Sequence, residues 1–423
     1  MKIEDLKFIN NKDNIISIQV YIPLGSIHEK KGQSGISHFL EHMKFKRTNK
    51  YTSKNDFLQE LSSSTTVTNA YTTKDHTSYY IRTLDKNWEK VIKLMYEIVF
   101  NTKFNTKDIK LEKKVILEEK LTREGNVESI NDIDIHSETS ILDPKNPYSK
   151  RVIGSMTDIK KMTKKNLQEY NNKYIDNYLI VISCSNKLKN KIQNLCLKLF
   201  PDSTNKKQVE LENTKSFKYS LTIRNLGLPQ NNIYIAFKSF SETDNNKYYL
   251  GFIEDIIANQ RNSILFKKLR KDKGYVYGVH TMNESYKDYG CFRILISSDV
   301  NNDINNILNI VFSELDNLKK KGLTDKQLEK YKKQFIDQNS YYFKDNDVII
   351  NTFGSYLYYD RDFTFKKYTN LINKITKNKI LEIINQLFDF DKMGFVLYGN
   401  VKDIEKTKKG IISIINKYKN LVK

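Results

Sequence analysis

The pentapeptide His38-Phe39-Leu40-Glu41-His42 sets two imidazoles four residues apart with a carboxylate between them. On a helix this spacing puts His38 and His42 on one face, with Glu41 adjoining both. Two neutral imidazoles so placed can share one metal ion. Zinc accepts imidazole nitrogen together with a carboxylate, and a catalytic zinc keeps a fourth position for water. Glu41 is then placed to take a proton from that water. Taken alone, the pentapeptide is equally well a polar stripe on a helix surface, and a third ligand decides between the two. The stretch Lys107 to Arg123 reads as an amphipathic helix on which Glu112 and Glu119, seven residues apart, lie on nearly one face. Glu118 points about a quarter turn away from them.

The elements that must position these groups follow from periodicity. Gly35 to Lys46 and Ser53 to Leu61 are expected to be helices, the second with a Ser-x-x-Asp start resembling a capping box. Thr65 to Ala70 and Thr77 to Thr83 read as strands, Trp88 to Phe100 as a longer helix, and Gly125 as the stop of the helix that carries Glu112 and Glu119. A repeat organises the whole. Thr163 leads through a helix to the strand Tyr178 to Ser183, Asn186 and the helix Lys187 to Leu199. Thr376 leads likewise to the strand Gly394 to Tyr398, Asn400 and the helix Ile404 to Tyr418. The two copies are offset by about half the chain, so a duplicated domain is expected. The β-branched and aromatic runs Ile15 to Ile22 and Asn232 to Phe237 open the two halves as strands. Pro201 to Lys215, polar and aperiodic, is the candidate linker. The expected fold is α+β, with domains 1–210 and 211–423, each a mostly antiparallel sheet with helices packed on one face.

Composition removes several function classes. A chain of 423 residues with 39% hydrophobic content can bury two cores, which excludes a disordered or fibrous protein. Five Pro and 15 Gly leave little for a long flexible linker, and no run of about 18 apolar residues marks a membrane span. The polar, mixed-charge stretch Met1 to Asn14 resembles neither a secretory nor a transit leader, so a cytoplasmic location is expected. Cys184, Cys196 and Cys291 match no paired metal spacing and read as buried free thiols. The net charge of +21 is spread along the chain on the outer faces of amphipathic helices, so no nucleic-acid partner is expected. His28, His76, His136 and His280 have no second ligand at helical spacing and read as ordinary polar residues.

These residues together resemble the inverted-zincin peptidases, the group of pitrilysin, insulin-degrading enzyme and the mitochondrial processing peptidase, whose motif is H-x-x-E-H. The family's third ligand lies on a helix reading E-x-x-V-x-x-x-E. Here Glu112-Lys113-Lys114-Val115-Ile116-Leu117-Glu118-Glu119 stands with Glu119 77 positions after His42. The resemblance therefore implies one zinc ion per chain on His38, His42 and Glu119, with Glu112 orienting the site from behind and Glu41 as general base. Gly25-Ser26, Glu29, Gly35 and Thr48 match the flanks. Asn69-Ala70-Tyr71-Thr72 resembles the family's N-A-x-T edge strand, which implies that Asn69, Ala70 and Tyr71 receive the substrate as an added β-strand. Leu269-Arg270-Lys271-Asp272-Lys273-Gly274-Tyr275-Val276-Tyr277 resembles L-R-x-x-x-G-x-x-Y. By that resemblance Arg270 and Tyr277 bind the substrate backbone and the developing oxyanion. Two departures fall where the family has glycine: Asn259-Gln260 before the Arg/Tyr segment, and Ser62-Ser63-Ser64 before the edge strand. Both are expected in loops that shape substrate access.

What the resemblance implies is a zinc metalloendopeptidase that hydrolyses peptides or unfolded segments inside a clamshell of paired two-domain units. This chain supplies one such unit, so a homodimer is expected, or a heterodimer with a related subunit, in which a second domain completes the partner's zinc site. The rival implied by the same family is a non-catalytic or partner subunit of a processing-peptidase-like complex. Retention of His38, Glu41, His42, Glu119, Arg270 and Tyr277 argues against it.

Overall fold

The run of β-branched and aromatic residues over Ile15–Ile22 forms β2, whose alternate residues Ile16, Ile18, Val20 and Ile22 are fully buried on one face of a sheet. The computed structural model describes residues 1–122, 136–174, 176–203, 211–359, 361 and 364–419. With β1 (Leu6–Asn10), β3 (Val67–Thr72), β4 (Thr77–Leu84) and β5 (Leu179–Cys184), β2 builds a five-stranded sheet in the order β1-β5-β2-β4-β3. β1 runs parallel to β5, and the other three pairings are antiparallel. A second sheet joins β6 (Leu221–Asn225), β7 (Gln230–Lys238), β8 (Val276–Ser285), β9 (Gly290–Asp299) and β10 (Met393–Gly399) in the order β6-β10-β7-β9-β8. Its single parallel pair is again the first with the last strand, β6 with β10. Strand for strand the two orders are identical, so the duplication read from Thr163/Asn186 and Thr376/Asn400 is a duplication of topology. Each half opens one strand earlier than expected, at β1 and β6. These strands are short and only partly buried, and so carry little alternation.

The first sheet's core face packs against α1 (Ile36–Lys44), α2 (Lys54–Ser64), α3 (Trp88–Phe100) and α4 (Thr106–Lys120) through Phe39, Leu40 and Met43, Phe57 and Leu61, Val91, Ile92 and Met95, and Ile116. Burying side chains of this size stabilises by about 1.5–3 kcal/mol each. The α-helical stretch carrying Glu112 and Glu119 runs to Lys120 and passes into a π-helical turn at Leu121 and Thr122, and Gly125, its expected stop, lies outside the described residues. Ser53 is the N-cap of α2, but its side chain makes no capping bond, so the expected capping box does not form.

Helices do not keep to one face. On the opposite side of the first sheet, Tyr21 of β2 and Val181 of β5 pack with Ile350 of the helix Asn346–Tyr358. Asn346 at that helix's start donates to Ser17 Oγ (3.1 Å) and accepts from Ser183 Oγ (2.7 Å), which gives the buried hydroxyls of the sheet face polar partners. In the second sheet the corresponding face is covered by residues 136–142. There Arg293 donates to Ser137 Oγ (3.2 Å) and Tyr289 to the Glu138 carbonyl (3.1 Å). Gly394 of β10 admits this segment, because a Cβ there would stand 1.9 Å from Ser140 Oγ.

The compact units accordingly do not follow one cut near residue 210. One comprises Met1–Thr122, Lys150–Glu212 and Tyr341–Thr364. The other comprises Arg123–Ser149, Asn213–Ser340 and Phe365–Lys423. Part of the expected linker, residues 204–210, lies outside the described residues. Among the described residues no helix is long and apolar enough to cross a membrane, and the three cysteines are buried and free.

Candidate active site

Everything at the site depends on where α1 begins. Gly35, its N-cap, has φ +91°, a left-handed conformation that costs a side-chain-bearing residue dearly. A Cβ on Gly35 would meet Ile153 O at 2.9 Å, and one on Gly154 would meet the Gly35 Cα at 2.4 Å, so two glycines meet backbone to backbone. The first-turn N–H groups of Gly35 (2.8 Å) and Ser37 (3.0 Å) donate to the buried Glu29 carboxyl. Burial pushes that carboxyl up to about 7, against the pull of these two donors and of Lys150. From this start, Ile36, Phe39, Leu40 and Met43 point into the core, which turns His38, Glu41 and His42 toward α4 and β3.

His38, His42 and Glu119 come together. The three side chains form a triangle, with each Glu119 oxygen facing one imidazole: His38 Nε2 to His42 Nε2 3.2 Å, His42 Nε2 to Glu119 Oε2 3.5 Å, and His38 Nε2 to Glu119 Oε1 3.8 Å. One ligand atom from each lies within 4.8 Å of the others. A tetrahedral zinc with bonds of about 2.0–2.1 Å has ligand-to-ligand edges of about 3.3–3.4 Å, so the donor set and its spacing fit that ion. Glu112 stands behind, its Oε1 2.8 Å from His42 Nδ1. An ionised carboxylate only accepts, so Nδ1 carries the proton and the Nε2 lone pair faces the triangle. Burial acts to raise the Glu112 pKa, but the hydrogen bonds from His42 and from Lys46, whose Nζ is 2.6 Å from Oε2, outweigh it and hold the group below the usual carboxylate range. Glu118, about a quarter turn round the same helix, is exposed.

Glu41 Oε2 accepts a 2.5 Å hydrogen bond from Thr72 Oγ1, at the end of β3. The strand motif assigns Thr72 no role, and the signal that marks it is its place as the last residue of an edge strand that ends beside Glu41. β3 is the outer strand of its sheet, as expected for Asn69, Ala70 and Tyr71. Asn69 is exposed, and its Oδ1 accepts the Ala70 N–H (2.9 Å). The Tyr71 ring does not face outward. Its hydroxyl accepts from Gln19 Nε2 (3.2 Å) and its edge meets the His76 ring at 5.8 Å.

In the second unit, Arg270 lies on a π-helical turn, Phe266–Asp272, and Tyr277 at a bulge in β8 between Val276 and Gly278. Arg270 donates to Val276 O (2.8 Å), and its guanidinium sits 5.3 Å from the centre of the Tyr277 ring, which is 71% exposed. The two are thus preassembled as a cation–π pair. The departures from glycine resolve differently from expectation. Ser62, Ser63 and Ser64 form no loop but prolong α2, with the Ser62 and Ser63 hydroxyls bonded back to its carbonyls. Asn259 uses its side-chain amide as a strand would, donating to Thr281 O (3.0 Å) and accepting from Thr281 N (2.8 Å) on β8.

Comparison with known proteins bears on the whole chain. Residues 8–146 match the model of the insulinase family (peptidase family M16), and residues 161–335 match the model described as the peptidase M16 inactive domain. A Bacillus subtilis protein described as an uncharacterized zinc protease is 25% identical over 378 residues, covering 89% of this chain and 91% of that one. The β subunit of the mitochondrial processing peptidase of Dictyostelium discoideum is 24% identical over 285 residues, 65% of this chain and 60% of that one. Among solved structures, a protease from Helicobacter pylori superposes with a TM-score of 0.84 at 20% identity, covering 93% of this chain and 96% of that one. The first half of the periplasmic protease PqqL from Escherichia coli gives 0.78 at 16% identity, covering 99% and 95%. Against the whole of PqqL this chain covers 49% of the other's length.

Proposed function

Given that the chain belongs to the insulinase family of peptidases, peptidase family M16, we propose that it is a zinc metalloendopeptidase acting on peptides and unfolded segments. The observation that carries this reading is the triangle of His38, His42 and Glu119, with Glu112 fixing the His42 tautomer and Glu41 carried on the same helix, between the two histidines in sequence. His38, His42 and Glu119 would hold one zinc ion, which when bound supplies a Lewis acid that acidifies water and polarises a carbonyl. Glu41 removes the proton of the attacking water and returns it to the leaving amine. β3 offers main-chain groups to an extended peptide, a mode of binding tolerant of sequence. Arg270 and Tyr277 present a cation and a phenol suited to a substrate carbonyl and its developing negative charge.

The proposed assembly is a homodimer in which the Arg270/Tyr277 pair of one subunit serves the zinc site of the other. Its support is that a relative, PqqL, contains about twice the length of this chain, and that its first half alone matches nearly all of it.

One experiment addresses the reading: metal analysis and cleavage of a peptide mixture, with and without chelator, over a dilution series. Stoichiometric zinc, chelator-sensitive cleavage and specific activity that falls on dilution are expected. Glu41→Gln should keep its zinc and lose turnover by a factor of 100 or more, on the order of what a positioned proton-transfer group supplies. Persistent cleavage by a pure, zinc-loaded Glu41→Gln protein removes Glu41 from its role, and full activity of an isolated monomer removes the dimer.

A further inference from the structure

Glutamate has three side-chain torsions, and a general base is effective only when its carboxylate is held within hydrogen-bond reach of the proton it takes. α1 fixes the Glu41 backbone but leaves those torsions to be set by something else. The hydroxyl of Thr72 reaches Glu41 Oε2 at 2.5 Å from a different element. Threonine is β-branched, so its χ1 is restricted to few rotamers, and its hydroxyl is placed relative to a strand backbone. That backbone is itself tightly held. Thr72 pairs with Thr77 across the β3–β4 hairpin. The turn that follows is closed by Thr73 N to His76 O (2.8 Å) and by the contact of Asp75 Oδ1 with His76 Nδ1 (2.8 Å). The loop after β2 grips it from one side through Ser26 N to Thr73 O (3.3 Å) and Ile27 N to Lys74 O (2.9 Å). Tyr359 grips it from the other, its hydroxyl donating to Asp75 Oδ2 (2.7 Å). The aromatic rings of Tyr21, Tyr71 and Tyr358 crowd His76 at 4.9–5.8 Å and leave the turn little freedom.

We propose that Thr72 is a positioning residue for the general base, its hydroxyl fixing the Glu41 carboxylate from the end of the strand that receives the peptide. This rests on the peptidase reading of the site. It adds that substrate docking and base placement share one strand: a peptide that pairs along β3 lies against the element that carries the hydroxyl. Disturbing β3 then misplaces the base even where both zinc-binding histidines are untouched.

The test uses full-length, zinc-loaded wild type with Thr72→Val, which keeps the shape without the hydroxyl, and Thr72→Ser, which keeps the hydroxyl. A hydrogen bond to a charged group is worth enough to predict a fall in kcat of about 10- to 100-fold for Thr72→Val. KM should stay within about twofold, with unchanged zinc content and melting temperature, and Thr72→Ser should recover most of the kcat. Crystal structures of the three proteins provide a readout independent of turnover: the Glu41 carboxylate should occupy one position in wild type and Thr72→Ser, and be displaced or split in Thr72→Val. An undisplaced carboxylate in Thr72→Val, an unchanged kcat, or a loss that follows zinc content overturns the proposal. A wild-type protein that binds zinc but cleaves nothing, while the carboxylate still follows the hydroxyl, overturns the peptidase reading and leaves the positioning intact.

Discussion

His42 shows how far a residue's chemistry is set by what lies behind it. Its Nε2 can face a metal with a free lone pair because Glu112 holds the proton on Nδ1, and the hydrogen bonds from His42 and from Lys46, in the turn just past α1, keep Glu112 ionised against its burial. Replacing Glu112 with Gln retains the shape but removes the charge, and a Gln amide can present either a donor or an acceptor to Nδ1. The expected result is zinc affinity lower by about 10- to 100-fold with little change in fold, since such supporting carboxylates typically contribute that much. Competition against a chromophoric chelator measures it, and an affinity equal to wild type would show that His42 needs no orienting partner. The histidine pair and both glutamates were legible as sequence because helical spacing is arithmetic. The choice of Glu119 as ligand over Glu112 was not arithmetic and came from the family resemblance. Thr72 was not legible in its role, because its partner Glu41 is 31 positions away and the contact depends on where a hairpin ends.

At the scale of the element, regular segments read from the sequence while irregular ones did not. Trp88–Phe100 and Ile15–Ile22 have the bounds their periodicity predicts, because one face of each is fully committed to the core. The segment after the helix Leu250–Glu254 has no such signal. It passes into a π-helical turn, Asp255–Asn259, and a second π-helical turn carries Arg270. π-turns interrupt the 3.6-residue period and are frequent at functional sites. The first of them begins beside an acidic pair. Burial, and then the neighbouring charge of Asp255, push Glu254 up from 4.5 to about 8. The folded state therefore keeps a proton that the unfolded chain gives up near 4.5. The stability this group contributes is complete below that value and is lost as pH rises toward 8, at up to about 1.4 kcal/mol per pH unit. Glu254→Gln removes the titration. Its melting temperature should match wild type near pH 4.5 and exceed it by a margin that widens to pH 8, and a margin independent of pH would refute the assignment.

The whole molecule repeats one sheet twice, yet neither half of the sequence contains a whole unit. The first unit draws Tyr341–Thr364 from the second half, and the second draws Arg123–Ser149 from the first. Sequence periodicity could not reveal this, because it reports which residues a helix buries and not against which sheet. The consequence is physical. A fragment ending at residue 212 would lose Ile350 from against Tyr21 and Val181, and would leave Ser17 and Ser183 buried or exposed without Asn346. It would also lose the Tyr359 bond to Asp75 in the turn that holds Thr72. Uncovering an apolar sheet face removes on the order of several kcal/mol, a large part of the roughly 5–15 kcal/mol by which a typical domain is stable. Residues 1–212 alone should therefore lack a cooperative thermal transition and bind zinc poorly, even though they contain His38, Glu41, His42 and Glu119. Co-expression with residues 213–423 should restore both, because each fragment then supplies the segment the other lacks. A 1–212 fragment that melts cooperatively at the wild-type temperature with one zinc bound would show that the exchanged segment only covers the sheet and does not stabilise it.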